Sequence, residues 1–332
     1  MKQSMFTIAV LALLGDICSA EQTLTIVEDG RPRSTVILSA GASPSEKWAA
    51  EQFVSHVERM SAAKLELRIE PTEPPGNAIF IGDSNAVQSL GVEIDTEGLG
   101  IEGFVIKSVG NHLVIAGGRQ RGTMYGVFTL LEKLGCRWWY PGASTIPKTK
   151  TITIPPLDER QVPAFEYRDF LYGEMDNSEE AMIWRARNKV NGGFHKDIKP
   201  EYGGAYKFHT LVHSYDQLMP PRVYFAAEPA RYALRGGNRN AGQPCFSNPA
   251  VVRTMADAIL RFVDQHRDWR FFTIGQNDNS NYCQCDDCSV LAERYESHGG
   301  SQVHFAQEIG KIVWRQHPDV ILNVPAYRWT RK

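Results

Sequence analysis

The sequence predicts an α/β protein of two domains: an N-terminal α+β domain in which helices back a mostly antiparallel sheet, then a (β/α)8 TIM-type barrel that is truncated. Three observations carry this. The 332 residues are 42% hydrophobic and 22% charged, the make-up of a packed globular chain, and their number is about twice the usual single-domain size. Short alternating runs and two amphipathic helices are mixed up to about residue 155, whereas strand-then-helix units repeat from residue 164 onward, the signature of a parallel sheet. From residue 164 to the end there are 169 residues, against about 250 for a complete barrel, and only about five strands are legible, so either the sheet is open or, as expected here, the barrel is truncated.

The first segment reads as an address. Met1-Lys2 precedes an apolar run of ten residues, Met5 to Leu14, and Cys18-Ser19-Ala20 supplies small residues before Glu21. A membrane span needs about 20 residues, so residues 1–20 are expected to be a secretory signal peptide, with no membrane span once it is removed. Ile17 before Cys18 argues against a lipid anchor. The mature chain is therefore expected in the periplasm or outside the cell.

In residues 22–155, Leu24 to Leu38 alternate around Asp29-Gly30-Arg31-Pro32, as in a hairpin. Ser43-Pro44 then opens a helix carrying Ala49, Phe53, Val57 and Met60 on one face. Leu65 to Ile69, Ala78 to Ile81 and Phe104 to Ile106 are β-prone, and Leu113 to Ala116 is the hairpin partner of the last. Met124, Val127, Phe128 and Leu131 mark a second helix that ends at Gly135. The proline-rich stretch from Pro147 to Pro163 sets the domain boundary.

Beyond it, Phe165 to Tyr172 is expected as a strand, Ser178 to Asn188 as a helix, and Val190 to Phe194 and Leu211 to His213 as further short strands. Ser247-Asn248-Pro249 caps a helix bearing Val252, Met255, Ile259 and Phe262, which leads into the strand Arg270 to Gly275. A helix from Ser301 to Gln316 feeds the strand Val320 to Tyr327. Lys332 then follows a strand with no closing helix, which predicts a fragment of a longer protein.

Thirty-six Lys and Arg against 38 Asp and Glu leave a net charge of −2, so no nucleic-acid or anionic-membrane partner is expected. Gly117-Gly118 before a helix matches neither the P-loop nor the dinucleotide fingerprint, and no cofactor is called for.

Particular residues carry a family resemblance. Phe104-Val105-Ile106, Leu113 to Gly117, Arg121 to Phe128, Leu130-Leu131-Glu132 and Cys136-Arg137-Trp138-Trp139-Tyr140-Pro141-Gly142 resemble the N-terminal α/β domain of family-20 β-hexosaminidases and α-glucuronidases. Gln243 to Pro249, Asn277-Asp278-Asn279 leading to Cys283-Gln284-Cys285-Asp286-Asp287-Cys288, and Pro318-Asp319-Val320 through Ala326-Tyr327 resemble the bacterial domain of unknown function 4838, a glycoside-hydrolase-like barrel family. The resemblance implies a secreted carbohydrate-active protein, with a complex polysaccharide or glycan as its substrate. Where the hexosaminidases carry an Asp-Glu pair, this sequence has Asn277-Asp278, which departs from a substrate-assisted mechanism.

Glycoside hydrolysis needs a carboxyl group to protonate the leaving oxygen and a second carboxylate beside it. Asp278 follows the strand Phe271 to Ile274, at the C-terminal end where barrel enzymes build their sites, and is the candidate general acid; a polar turn or cation loop is the plainer reading. Asp169 and Glu174, with Asp176, are the candidate partners. Asn277, His209, His213, Arg168, Tyr327 and Trp329 are candidate substrate contacts, with Trp184 a further stacking candidate. His209 and His213 are four apart, but Thr210-Leu211-Val212 favours a strand or loop, so no metal is expected there. Cys245, Cys283, Cys285 and Cys288 are left as either disulfides or a structural metal site, with disulfides favoured by the signal peptide, and Cys136 stands apart.

Overall fold

The computed structural model describes residues 23–70, 76–170, 178–192, 198–210 and 212–331. The leader, Glu174, Asp176, Phe194 and Leu211 lie outside the described residues. The chain divides into two compact units, one formed by residues 1–166, 178–189 and 199–204, the other by residues 167–177, 190–198 and 205–332.

In the first unit β1 (Leu24–Glu28) pairs antiparallel with β2 (Arg31–Pro32), as the hairpin expectation requires. β3 (Ser34–Leu38), however, leaves that hairpin for a six-stranded sheet. Helix α1 (Pro44–Ser61) follows, with Ser43 and Glu46 forming a reciprocal capping box and Pro44 in the first turn. It leads to β4 (Leu67–Ile69), β5 (Asn77–Ile81), α2 (Asn85–Ser89), α3 (Thr96–Leu99), β6 (Phe104–Val109), β7 (His112–Gly117) and α4 (Gly122–Lys133). Next come β8 (Arg137–Tyr140), β9 (Ala143–Thr145), β10 (Ile152–Ile154) and β11 (Asp158–Gln161), and later α5 (Glu179–Arg187).

The sheet runs β11-β6-β7-β5-β3-β4. Its β7-β5, β5-β3 and β3-β4 pairings are parallel, and only β11-β6 and β6-β7 are antiparallel. The mostly antiparallel sheet is thereby corrected. The cause lies in the connections: α1 separates β3 from β4, and a helical crossover returns a strand parallel, while only the tight turn at Gly110-Asn111 makes a hairpin. β3 is buried at every position and β7 at five of six, as for strands covered on both faces. Helices α1 and α4 pack on each other and α4 lies against β6 and β7, while Val87 of α2 joins Ile37, Phe80 and Val114 on the opposite face.

In the second unit, parallel backbone contacts link successive segments. Asn191 and Gly192 donate to the Arg168 carbonyl, Gly192 bridges Tyr206, Phe208 bridges Phe271, and β14 (Phe271–Thr273) pairs with β15 (Ile321–Asn323). Before β14 come α6 (Tyr215–Leu218), α7 (Pro221–Tyr224), the antiparallel hairpin β12 (Tyr232–Arg235) and β13 (Asn238–Pro244), and α8 (Pro249–Gln265). Between β14 and β15 come α9 (Asp286–Arg294) and α10 (His298–Val313). Met255, Ile259 and Val263 of α8, Phe305, Ile309 and Val313 of α10, and Phe272 and Ile274 form one core on the helix side of the sheet. Phe208 stacks on Phe271 at 4.6 Å on the other face, with Tyr167 and Tyr206 beside it. This is an arc of parallel strands with external helices, mixed α/β as expected; the described pairings do not close it into a barrel.

Candidate functional site: the ends of two parallel strands

The loop leaving β14 is braced from below. The Ser214 N–H donates to the Gly275 carbonyl at 3.0 Å and the Gly275 N–H returns to Ser214 Oγ at 2.9 Å. Asn277, only 8% exposed, spends both amide hydrogens within the protein, on Asp216 Oδ1 at 2.8 Å and the Gly242 carbonyl at 2.9 Å. Its backbone N–H meets Gln243 Oε1, and Gln243 Nε2 donates to its carbonyl. Expected as a sugar donor, Asn277 is instead a brace that aims the next residue outward.

That residue is Asp278. Its Oδ1 accepts from Arg328 Nε at 2.8 Å and from the Tyr327 hydroxyl at 3.2 Å. The Arg328 guanidinium is pushed above its ordinary range by its contacts with Tyr327 and Asp278. Asp278 is 56% exposed, so the desolvation expected of a general acid is not what surrounds it. His213 approaches from the preceding strand segment, its Nδ1 2.7 Å from the Gln276 carbonyl and its ring 5.8 Å from that of Tyr327. His213 and Arg328 both hold left-handed backbone, at φ 48° and 49°, a conformation that costs non-glycine residues free energy and concentrates at functional sites. Thus Asp278, Tyr327 and His213, named from the sequence, meet at the C-terminal ends of neighbouring parallel segments.

Others are placed elsewhere. His209 donates its backbone N–H to Phe271, but its ring packs on Phe262 at 4.0 Å, on the helix side of the sheet. Burial lowers its pKa to about 4, helped by His266, and its Nδ1 has no hydrogen-bond partner among the described residues. Side chains alternate across a strand, so with Phe208 on the other face His209 turns to the helix side. Trp329 donates to the Asn279 carbonyl at 3.1 Å and lies against Tyr282 and His298, a packing role. Asp169 accepts from the Tyr167 hydroxyl and the Phe170 N–H, both at 2.8 Å, and its segment is separated from β14 by those of Gly192 and Phe208. The Arg168 N–H donates to Asn191 Oδ1. Trp184 belongs to the first unit, where its indole N–H donates to the Trp138 carbonyl.

Sequence reasoning missed Asp216, Arg328 and Gln276. Asp216 follows His213 closely, and its position after a strand segment was the available signal. Gln276 is 1% exposed with neither amide atom hydrogen-bonded among the described residues, a state no motif announces.

A second cluster lies beside this loop. Cys245 at the end of β13, Cys283 and Cys285 on the loop, and Cys288 in the first turn of α9 are all free thiols whose sulfurs lie within 4.8 Å of one another. Cys245 is held below the usual thiol range by the S–H groups of Cys283 and Cys288, and Cys283 is pushed up to about 11 by its hydrogen bond to Cys245. The favoured disulfides are not formed: the closest sulfurs are 3.4 Å apart, whereas a disulfide needs about 2.05 Å.

The family model "Domain of unknown function (DUF4838)" matches residues 138–332, more than half of the chain. The chain belongs to this family. The model of the glycosyl hydrolase family 67 N-terminus matches residues 23–130 of this DUF4838 protein. A β-hexosaminidase of Porphyromonas gingivalis is 32% identical over 112 residues, 33% of this chain and 13% of that protein. Among solved structures, a family GH115 4-O-methyl-α-glucuronidase with specificity for decorated arabinogalactans superposes with a TM-score of 0.52 and 15% identity, over 93% of this chain and 43% of that one. A Flavobacterium johnsoniae chitobiase gives 0.44 and 11%, over 92% of this chain and 51% of that one. The DUF4838 chain therefore spans a small part of the hexosaminidase and under half of the glucuronidase. The family 67 N-terminal match and the glucuronidase superposition connect it to glycoside hydrolases in fold.

Proposed function

We propose that this chain is an exported glycoside-hydrolase-like protein that engages a complex glycan at the rim formed by Asp278, Tyr327, Arg328 and His213. The single observation that carries the reading is the convergence of these four side chains where three neighbouring parallel segments end, the face on which barrel enzymes place their chemistry. Hydroxyl-rich ligands suit such a rim: a carboxylate and a phenol accept or donate to sugar hydroxyls, and Arg328 receives an acidic substituent. The buried amide of Gln276 is a further donor and acceptor set beneath them.

In this reading Asp278 acts as a carboxylate beside Arg328, accepting a sugar hydroxyl or facing positive charge that develops on the ring, rather than as the acid. Asp216 joins Asp169 and Glu174 as a candidate second carboxylate, because Asn277 ties it to the same loop. In this reading residues 1–20 direct its export.

Release of reducing sugar from polysaccharides, and cleavage of aryl glycosides of uronic acids and N-acetylhexosamines, tests this directly. Asp278→Asn is expected to lower turnover by about 10²-fold or more, the usual worth of a positioned carboxylate. An unchanged rate in that variant ends the catalytic reading. A non-catalytic glycan-binding protein is the second reading, favoured by the exposed ion pair of Asp278. It requires saturable oligosaccharide binding without turnover, weakened by the same substitution.

A further inference from the structure

We propose that Cys245, Cys283, Cys285 and Cys288 are the ligands of a structural zinc ion, a site independent of the glycan rim. Four sulfurs bound tetrahedrally at about 2.3 Å from a central ion lie about 3.8 Å from one another. Here Cys245 Sγ is 3.7 Å from the sulfurs of Cys283, Cys285 and Cys288, and Cys283 is 3.4 Å from Cys285. Four of the six edges are thus close to those of a zinc tetrathiolate, and all six lie within 4.8 Å.

Two pieces of chain, about 40 residues apart in sequence, deliver the ligands to one point, which chance burial of small apolar thiols does not explain. The β12–β13 hairpin ends at Pro244 and presents Cys245. The loop after Asp278 supplies Cys283 and Cys285, and Cys285 caps α9, so that Cys288 projects from the first turn onto the same point.

The surroundings suit a site that carries excess negative charge when four thiolates hold a dication. The Leu234 N–H donates to Cys283 Sγ at 3.3 Å, and Arg239 Nη1 lies 3.9 Å from the same sulfur. Ser247 Oγ lies 3.3 Å from the sulfurs of Cys245 and Cys288. Outer hydrogen bonds of this kind orient thiolates and offset their charge. Cys245, Cys283 and Cys288 are buried, so the site is closed to a water ligand and is structural rather than catalytic. Tetrahedral sulfur ligation selects zinc or iron, and a closed four-cysteine structural site is the usual setting of zinc.

Zinc here would pin the loop that follows Asp278 to the hairpin. The loop already touches it through the Gln284 N–H on the Leu234 carbonyl at 2.8 Å and Arg235 Nη1 on the Ser280 carbonyl at 2.8 Å. The metal adds covalent strength to those contacts.

Elemental analysis of the full chain, purified under reducing conditions without chelator, is expected to find about one zinc per molecule. Cys283→Ser and Cys288→Ser should lose it, while Cys136→Ser, in the first unit and outside the cluster, should keep it. Because the ligand variants may not fold, the wild-type chain carries a second test. Cobalt substitution should give the intense visible bands and sulfur-to-metal charge transfer of a tetrahedral tetrathiolate, and titration with a mercurial should release zinc in step with the four thiols. Two disulfides recovered by non-reducing mass spectrometry would overturn the proposal. So would four thiols that alkylate freely without bound metal, or stoichiometric iron in place of zinc.

Discussion

Arg121 and Glu102 show what a single buried charge demands. Their side chains are 1% and 7% exposed, Arg121 Nε meets Glu102 Oε1 at 2.6 Å, and Nη1 donates to the Gly203 carbonyl at 2.9 Å. Removing one partner strands the other without water, at a cost of about 3–5 kcal/mol, while replacing both by apolar groups of similar volume is often close to neutral. Urea unfolding of Arg121→Met is therefore expected to show a loss of that size, and the double variant Arg121→Met with Glu102→Leu should recover most of it. A double variant no better than the single one would assign the cost to lost packing. The same scale shows why the candidate site was half legible. Asp278 and Tyr327 were readable because a strand pattern ended just before them. The ion pair to Arg328 and the diversion of Asn277 into bracing depend on contacts between residues 35 to 61 positions apart, which no local pattern contains.

Elements announced by caps were read closely. Asn248-Pro249 opens α8 and its side chain accepts from the Ala250 N–H; Ser178 caps α5 in the same way. The short α9 was not read, because Cys and Asp at its start hide a helical pattern, nor was the β12–β13 hairpin, whose strand of Asn, Arg, Gly and Gln lacks alternation. Close packing between elements is equally invisible locally, and Gly126 gives a test. A Cβ there would stand 2.7 Å from Ile115 Cγ2 and 3.2 Å from the Phe104 ring, because α4 lies almost on β7. Alanine improves helix propensity by about 1 kcal/mol, but overpacking a rigid core costs about 1–3 kcal/mol. Crowding should win, since both neighbours are buried on central strands. Gly126→Ala is thus expected to lower the thermal midpoint; a raised midpoint would mean that the helix shifts freely.

Across the whole molecule, acid should act first through histidines, and in both units. His56, in the first, places Nδ1 2.7 Å from the Gln52 carbonyl and Nε2 3.4 Å from the Trp138 indole N–H. That arrangement fits the neutral ring, and burial, with Arg187 and Arg59 nearby, lowers its pKa from 6.5 to about 4. His209, in the second unit, is lowered to about 4 as well, by burial and by His266, and burial also lowers His112 and His298. A base whose pKa is depressed by folding binds protons preferentially when unfolded. Its contribution is complete above pH 6.5 and disappears as the pH falls toward 4. His56 alone accounts for up to about 3 kcal/mol by the end of that window. The lowered carboxylates Glu66, Glu179, Asp268 and Glu308 lie at the surface and act below their ordinary pKa of about 4, so the interval from pH 6.5 to about 4.5 belongs to histidine. Urea midpoints measured across that interval should therefore fall steadily. His56→Phe should flatten that slope, whatever it does to absolute stability. A slope identical to that of the unsubstituted chain would show that His56 takes up its proton equally in the folded and unfolded states and that another group carries the acid sensitivity.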